Sequence, residues 1–522
     1  MEHVKHLISA IHSTQEWPED GEKITVSKTS RTAGSAYEKV RRAVEYEEEH
    51  LVRRNAIRRI LQRRIQGIDQ HGISRGELVL RELIWAKYLP NKQVPIEMID
   101  TVEKVIQKYD RLFAVIPQNS DEQNDMEEWL FDVISTEIEY LLHPPKGNEA
   151  LANFMFDRVR RELVWEAGKI DDKQKDLLIY IAIHRSLLKS NLGSLRYRVM
   201  LLYFPHWGKA TQAEIDDVAH KLPKIMKAID GQIQHPLADQ LFRYMRRFTF
   251  VFWTLHDLIE KHKDFAEVAR DDDRLATAVR NVAYARYDRF KKRRTRTVAR
   301  AVLFLFITKM LLALIIEVPY EFFALQHINQ TSLAINILFH PFFLALIGTT
   351  LTIPAKRNTA QLLTFVKAVL SGKDQALGVV FKIRKPWTQG ALGRFFTTLY
   401  LLTYVVSYGF LAWFLAVVLS FNVVSVMLFL LFFSLVTFFG LRIRQSTLEL
   451  LVVERQGSVF GTLFDFFLLP ITRAGRWMTL RASKLNVFAF FLDYVAEAPI
   501  KLAIELVEGW IAFVKAQKEE IE

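Results

Sequence analysis

Five residues carry ionisable or amide side chains inside apolar text that lipid would ordinarily exclude: Lys309, Glu317, Glu321, Asn336 and His340. Glu317 and Glu321 stand four apart, as do Asn336 and His340, so each pair lines one helix face. If the first apolar stretch runs outward and the second inward, Glu321 and Glu317 lie about 6 and 12 Å below the outer end, at 1.5 Å per residue. Asn336 and His340 fall about 7 and 13 Å below the same face. The depths predict Glu317 opposite His340 and Glu321 opposite Asn336. A carboxylate beside an imidazole in low dielectric would carry protons or hold a cation.

The glutamates admit three roles. Pro319 removes a backbone donor, so the helix is expected to end there and leave EVPYEFF as a wet interfacial turn anchored by Tyr320, Phe322 and Phe323. This boundary role is preferred over a polar lock between helices and over a transport site. Lys309 does not pair with Glu317 along the helix, since eight residues separate them by about 12 Å. It is expected to snorkel toward the inner headgroups, with the hydroxyls near Gly348, Thr349 and Thr350 as the alternative partner.

The elements that position these residues follow from hydropathy. Half of the 522 residues are hydrophobic, yet a quarter are charged. From Phe395 to Leu441 there is no charge at all, whereas about 20 apolar residues cross a bilayer. Four spans are predicted, at about 300–324, 331–353, 395–419 and 421–441. Before the first lie Lys291, Lys292, Arg293, Arg294, Arg296 and Arg300; after the fourth lie Arg442 and Arg444. The connection 354–394 is rich in Lys and Arg, while QHINQ and SFN have none. Basic and bare connections alternate, which predicts a multi-pass protein with both termini cytoplasmic. The formal net charge of +12 resides wholly in residues 291–522, so it orients spans and disfavours nucleic acid as a partner.

The remaining text is helical, giving an all-α, polytopic membrane protein. Residues 1–35 show no periodicity and are expected to be a disordered tail. Residues 36–290 predict an all-helical cytoplasmic domain, with helical patterns including 172–205 and 264–290. The pairs Arg53-Arg54, Arg58-Arg59 and Arg63-Arg64 are expected on a solvated face, neutralised by nearby Glu38, Glu45, Glu47, Glu48 and Glu49. Residues 442–522 predict an interfacial amphipathic tail, in which Asp493, Glu497, Lys501, Glu505 and Glu508 share one helical stripe. SVFGTLFDFFLLP is too short to span.

Enzyme chemistry finds little purchase. The chain has no cysteine, which excludes thiolate metal sites and cysteine nucleophiles, and suits a reducing compartment or a prokaryotic plasma membrane. No nucleotide-binding, nucleophile-elbow or zincin motif is present. His256, Glu260 and His262 lack a metal-binding spacing. No cofactor, metal or catalytic residue is expected. The sequence favours a non-enzymatic scaffold or docking protein, whose partners are the bilayer, its anionic inner-leaflet lipids and a protein bound by the helical domain. The alternative is an ion- or proton-coupled transporter or channel using the five polar residues.

Overall fold

A computed structural model describes residues 2–13, 17–18, 20–27, 49–65, 74–117, 122–166, 170–350, 355–372, 380–382, 391–452, 468–479 and 510. It is 81% helical with almost no strand, so the class is all-α. Two compact units divide the chain: residues 1–246 with 378–381 and 487–522, and residues 247–377 with 382–486. The first unit thus ends short of residue 290, where the sequence placed the domain boundary.

In the first unit the helices are α1 (Glu2–His12), α2 (Glu49–Ile65), α3 (Arg75–Trp85), α4 (Glu97–Ala114), α5 (Gln123–Leu142), α6 (Lys146–Glu162), α7 (Asp172–Ser186), α8 (Leu192–Tyr203) and α9 (Gln212–Ile233). The next helix, α10 (Ala238–Lys261), begins in this unit. Side-chain caps start several of them. Ser74, Asp171 and Asn191 each accept a hydrogen bond from a first-turn N–H, and Thr211 forms a capping box with Glu214. The predicted helix over 172–205 is two helices, because Lys189 takes a left-handed φ of 53° and Asn191 caps a new start. The one small sheet pairs β1 (Val164–Glu166) with β2 (Val380–Lys382) among the described residues.

Two expectations are corrected here. Residues 2–12, placed in a disordered tail, form α1, because Val4 and Leu7 share one face and are buried, with Ile11 and the α1 backbone running close to Gly147 of α6. Arg53, Arg54, Arg58, Arg59 and Arg63 of α2 do not lie on a solvated face. Arg53 binds Glu139 at 2.8 Å, Arg58 binds Asp132 at 2.8 Å and Arg63 binds Glu82 at 2.6 Å. Arg54 is only 4% exposed, 3.4 Å from Asp132. Helix α5 is buried over most of its girth around Trp129, Leu130, Val133, Ile134 and Ile138, so its acids need buried cations. Of the acids expected to neutralise these arginines, Glu38, Glu45, Glu47 and Glu48 lie outside the described residues, as do the five charges of the predicted C-terminal stripe.

The second unit contains α11 (Phe265–Val268), α12 (Asp272–Leu312), a π-helical turn over Ala313–Glu317 and α13 (Val318–Phe323). There follow α14 (Gln330–Thr350), α15 (Ala355–Ser371), α16 (Ala391–Trp413) with a second π turn over Phe414–Val418, and α17 (Val423–Leu448). A further helix occupies 468–479. From Asp272 to Phe323 the chain is one helix of 52 residues, so the predicted helix 264–290 runs on into the first apolar stretch. Four helices are long and apolar enough to cross a membrane: Asp272–Phe323, Gln330–Thr349, Thr397–Val418 and Val423–Leu448.

Their surface is inverted relative to a water-soluble bundle. Phe304 is 69% exposed, Phe323 78% and Val405 69%, while polar side chains point inward. Glycines allow close approach. A Cβ at Gly348 would stand 2.7 Å from Val298, and one at Gly440 would stand 2.8 Å from Ile347. Those contacts draw α12, α14 and α17 together around Val298, Leu344, Val436 and Ile443.

Candidate functional site: a buried polar core in the apolar helices

All five residues singled out from the sequence are buried, and none is wet: Lys309 and Glu317 are 2% exposed, Glu321 1%, Asn336 and His340 0%. The boundary role expected for the glutamates is therefore overturned. Pro319 does not end the helix. Its missing N–H is absorbed by the π turn just before it, where Val318 N donates to Ala313 O, and Pro319 sits in the first turn of α13.

Asn336 occupies the centre. Its Oδ1 accepts from Lys309 Nζ at 2.6 Å, and its Nδ2 donates to Glu317 Oε1 at 2.8 Å. Ser425 of α17 also donates its hydroxyl to Glu317 Oε1. Lys309 lies 4.6 Å from the Phe432 ring centroid, a cation–π contact. It neither snorkels nor turns to Gly348 or Thr349, because a closer acceptor and a ring face lie beside it. Three helices thus contribute to one ammonium–amide–carboxylate chain.

The predicted pairing of Glu317 with His340 and Glu321 with Asn336 is off by about one turn. The π turn lies between Lys309 and the glutamates, so its extra residue turns Glu317 and Glu321 together relative to Lys309. Glu321 instead closes the ends of two helices. Its Oε2 accepts from Asn329 N at 2.9 Å and its Oε1 from Asn422 Nδ2 at 2.6 Å. Asn329 accepts from Ser332 N at the start of α14, and Asn422 accepts from Ser425 N at the start of α17. A carboxylate at two helix N-termini is favoured by the dipoles it faces. His340 turns to backbone: Nε2 lies 3.0 Å from Phe429 O and Nδ1 3.2 Å from Asn336 O.

Ser425, Asn422 and Asn329 complete the core, and none was among the candidate site residues read from the sequence. Their only sequence signal is the spacing of Asn422 and Ser425 at the head of an otherwise uncharged helix. A second hub was equally silent. Asn358 of α15, fully buried, donates to Tyr287 OH at 2.8 Å and to Leu450 O at 2.7 Å, and accepts from Val452 N at 2.8 Å.

The basic residues assigned to topology flank the apolar lengths. Lys291, Lys292, Arg293, Arg296 and Arg300 are exposed on α12, Arg294 is half-buried there, and Arg442 and Arg444 are exposed at the end of α17. Lys356, Arg357 and Arg394 are exposed on α15 and α16.

Among the described residues, His256, Asp257 and Glu260 bring ligand-type atoms within 4.8 Å of one another. His262 is not in that group. Arg286 takes both Asp257 oxygens, at 2.5 and 2.6 Å, so a guanidinium already fills the cation's place. Burial pushes the Asp257 carboxyl up, but the nearby His256 ring, 3.8 Å away, and the hydrogen bonds and charge of Arg286 outweigh it and hold the pKa at about 2.

No family model, curated protein or solved structure matches the chain.

Proposed function

We propose that the chain is a multi-pass integral membrane protein with both termini cytoplasmic, whose first unit is a docking or scaffolding platform at the inner leaflet. The observation that supports it best is the state of the intramembrane polar groups. Lys309, Glu317, Glu321 and Asn336 are engaged with one another and with Asn329, Asn422 and Ser425. A core closed in this way serves as an interhelical lock. It leaves binding to the large helical unit, whose charges are likewise tied up internally. The exposed basic residues at the ends of the apolar helices suit the positive-inside rule and contact with anionic headgroups. The test is photo-crosslinking of the full chain in its native membrane, with the probe at Leu202 or Tyr203, both about half exposed. A discrete protein adduct supports docking; adducts to lipid alone defeat it.

One observation favours a second role, ion- or proton-coupled transport: a lysine and a glutamate meet through one amide beside a π turn, a distortion common at functional sites. Proteoliposome flux decides between them. If Glu317→Gln and His340→Ala leave proton or cation flux unchanged, or if there is no flux, transport falls.

A further inference from the structure

We propose that one face of α12, where the helix enters the apolar slab, is a seat for an anionic phospholipid whose phosphate is held by Arg296 and Arg300. The inference rests on the membrane threading proposed above. At 100° per residue, Arg289, Arg293, Arg296 and Arg300 fall within an arc of about 60°, and all four are exposed. Val298, on the opposite side of the helix, is buried in a cluster with Leu344, Val436 and Ile443. The arginine face therefore looks away from the bundle. The same face continues along α12 as Leu303, Ile307 and Leu311, which are also exposed. It passes from arginine to bare apolar side chains between Arg300 and Leu303, a rise of about 4.5 Å.

Depth and charge both point to a headgroup. A Cβ at Gly348 would stand 2.7 Å from Val298, so Arg296 and Arg300, two residues to either side, lie level with the end of α14. They are about 6 Å apart along the axis, and the headgroup layer of one leaflet is about 5–8 Å deep. Nearer the start of α12 the cations are neutralised by the protein: Arg286 and Arg289 by Asp257, and Lys292 by Asp288 at 2.8 Å. Past Asp288 the carboxylates run out. No aspartate or glutamate occurs in 289–316, 322–373 or 375–448. Glu317 and Glu321 are engaged at the far end of the spans, and Asp374 lies outside the described residues. Among the described residues no carboxylate pairs with Arg296 or Arg300.

Their counter-charge must come from outside the chain, and the face selects its form. An anionic phospholipid satisfies both halves at once. Its phosphate takes charge-assisted hydrogen bonds from the two guanidiniums, and its acyl chains lie along Leu303, Ile307 and Leu311. A zwitterionic lipid brings its own cation to the same place, beside two arginines that already repel it. A second copy of the chain does not fit, because a two-fold contact through this face would set arginine against arginine. Arg293, about 10 Å before Arg300, stands at the watery edge of the headgroup layer and extends the attraction outward.

The test titrates the full chain, in a neutral detergent, with phosphatidylglycerol and phosphatidylcholine of the same acyl chains, and counts bound lipid by native mass spectrometry. Phosphatidylglycerol is expected to be preferred about 25-fold, at about fivefold for each arginine. Arg296→Gln and Arg300→Gln should each cut the preference about fivefold and together remove it. Lys292→Gln should leave it unchanged, since that ammonium is already paired with Asp288. No preference in the parent chain, or one that survives the double variant, overturns the seat. An equal loss with Lys292→Gln also overturns it, because the attraction would then be to net charge alone. Release of phosphatidylglycerol by a large excess of inorganic phosphate would mark a free-anion site and overturn it too. Leu303→Cys, in a chain with no native cysteine, separates this proposal from the threading beneath it. In sealed vesicles position 303 should resist an impermeant maleimide from both sides. Labelling there overturns the threading, and the seat with it; shielding without lipid preference overturns the seat alone.

Discussion

Asn336 stands between Lys309 and Glu317, taking the ammonium on its carbonyl and giving its amide to the carboxylate. The two charges are thereby coupled without touching through their own atoms. Asn336 is an amide and can satisfy both at once; no apolar residue of its size can.

Replacing Asn336 with Leu should strand both charges. Leaving one member of a buried ion pair uncompensated costs about 3–5 kcal/mol, whereas exchanging both for apolar groups is near neutral. Lys309→Met and Glu317→Gln alone are each expected to lower the melting temperature of the detergent-solubilised chain. The double variant is expected to recover most of the loss. A double variant as unstable as the sum of its parts would contradict the coupling.

Glycine contacts give a second expectation. Gly348→Val and Gly440→Val drive side chains into Val298 and Ile347, and overpacking of this kind costs about 1–3 kcal/mol. Gly409 has no heavy atom within 4 Å of a built Cβ, so Gly409→Ala is expected to be neutral or mildly stabilising. Thermal denaturation of the three variants separates the cases.

Acid should loosen the first unit. Burial, aided by the Arg53 charge, lowers the His143 pKa to about 4, and burial with Arg198 lowers His184 well below its ordinary value. Both groups are depressed in the folded state, so the unfolded chain takes up protons first. Stability is complete above about pH 6.5, the unfolded value, and falls as pH drops from there toward 4. Hydrogen exchange in peptides spanning residues 143 and 184 should accelerate over that window. His143→Gln and His184→Gln should each flatten the dependence.

Asp132 is the anchor for Arg54, Arg58 and Arg196, with Arg58 and Arg196 each at 2.8 Å. Asp132→Asn would leave Arg54 and Arg58 against a neutral amide while Arg196 keeps Asp230, at an expected cost of about 3 kcal/mol. Gly193→Ala should act at the same place, because a Cβ there falls on Arg54 and crowds Asp132. Faster exchange along α2 and α8 in both variants checks this.

The apolar lengths were legible because a run of 47 uncharged residues is more than twice what one bilayer crossing needs. That Lys309, Glu317, Glu321, Asn336 and His340 stand out against apolar surroundings was legible too. Their pairing was not, because it turns on one inserted residue at a π turn, and hydropathy carries no mark of it. Pro319 reads as a stop in a sequence and proved to be a first-turn residue. The α2 arginines could not be placed because their partners lie far along the chain: Glu139 is 86 residues from Arg53 and Asp132 is 74 from Arg58. Local charge counting sees only neighbours.

The helix from Asp272 to Phe323 is about 78 Å long, more than twice the thickness of a hydrocarbon core. Near one end Asp272 is tied to Lys367 at 3.0 Å and Tyr287 to Asn358. Near the other, Glu317 and Glu321 are tied to Asn336 and Asn422. One unbroken helix thus carries both sets of polar contacts, so the two ends of the unit share a single backbone element.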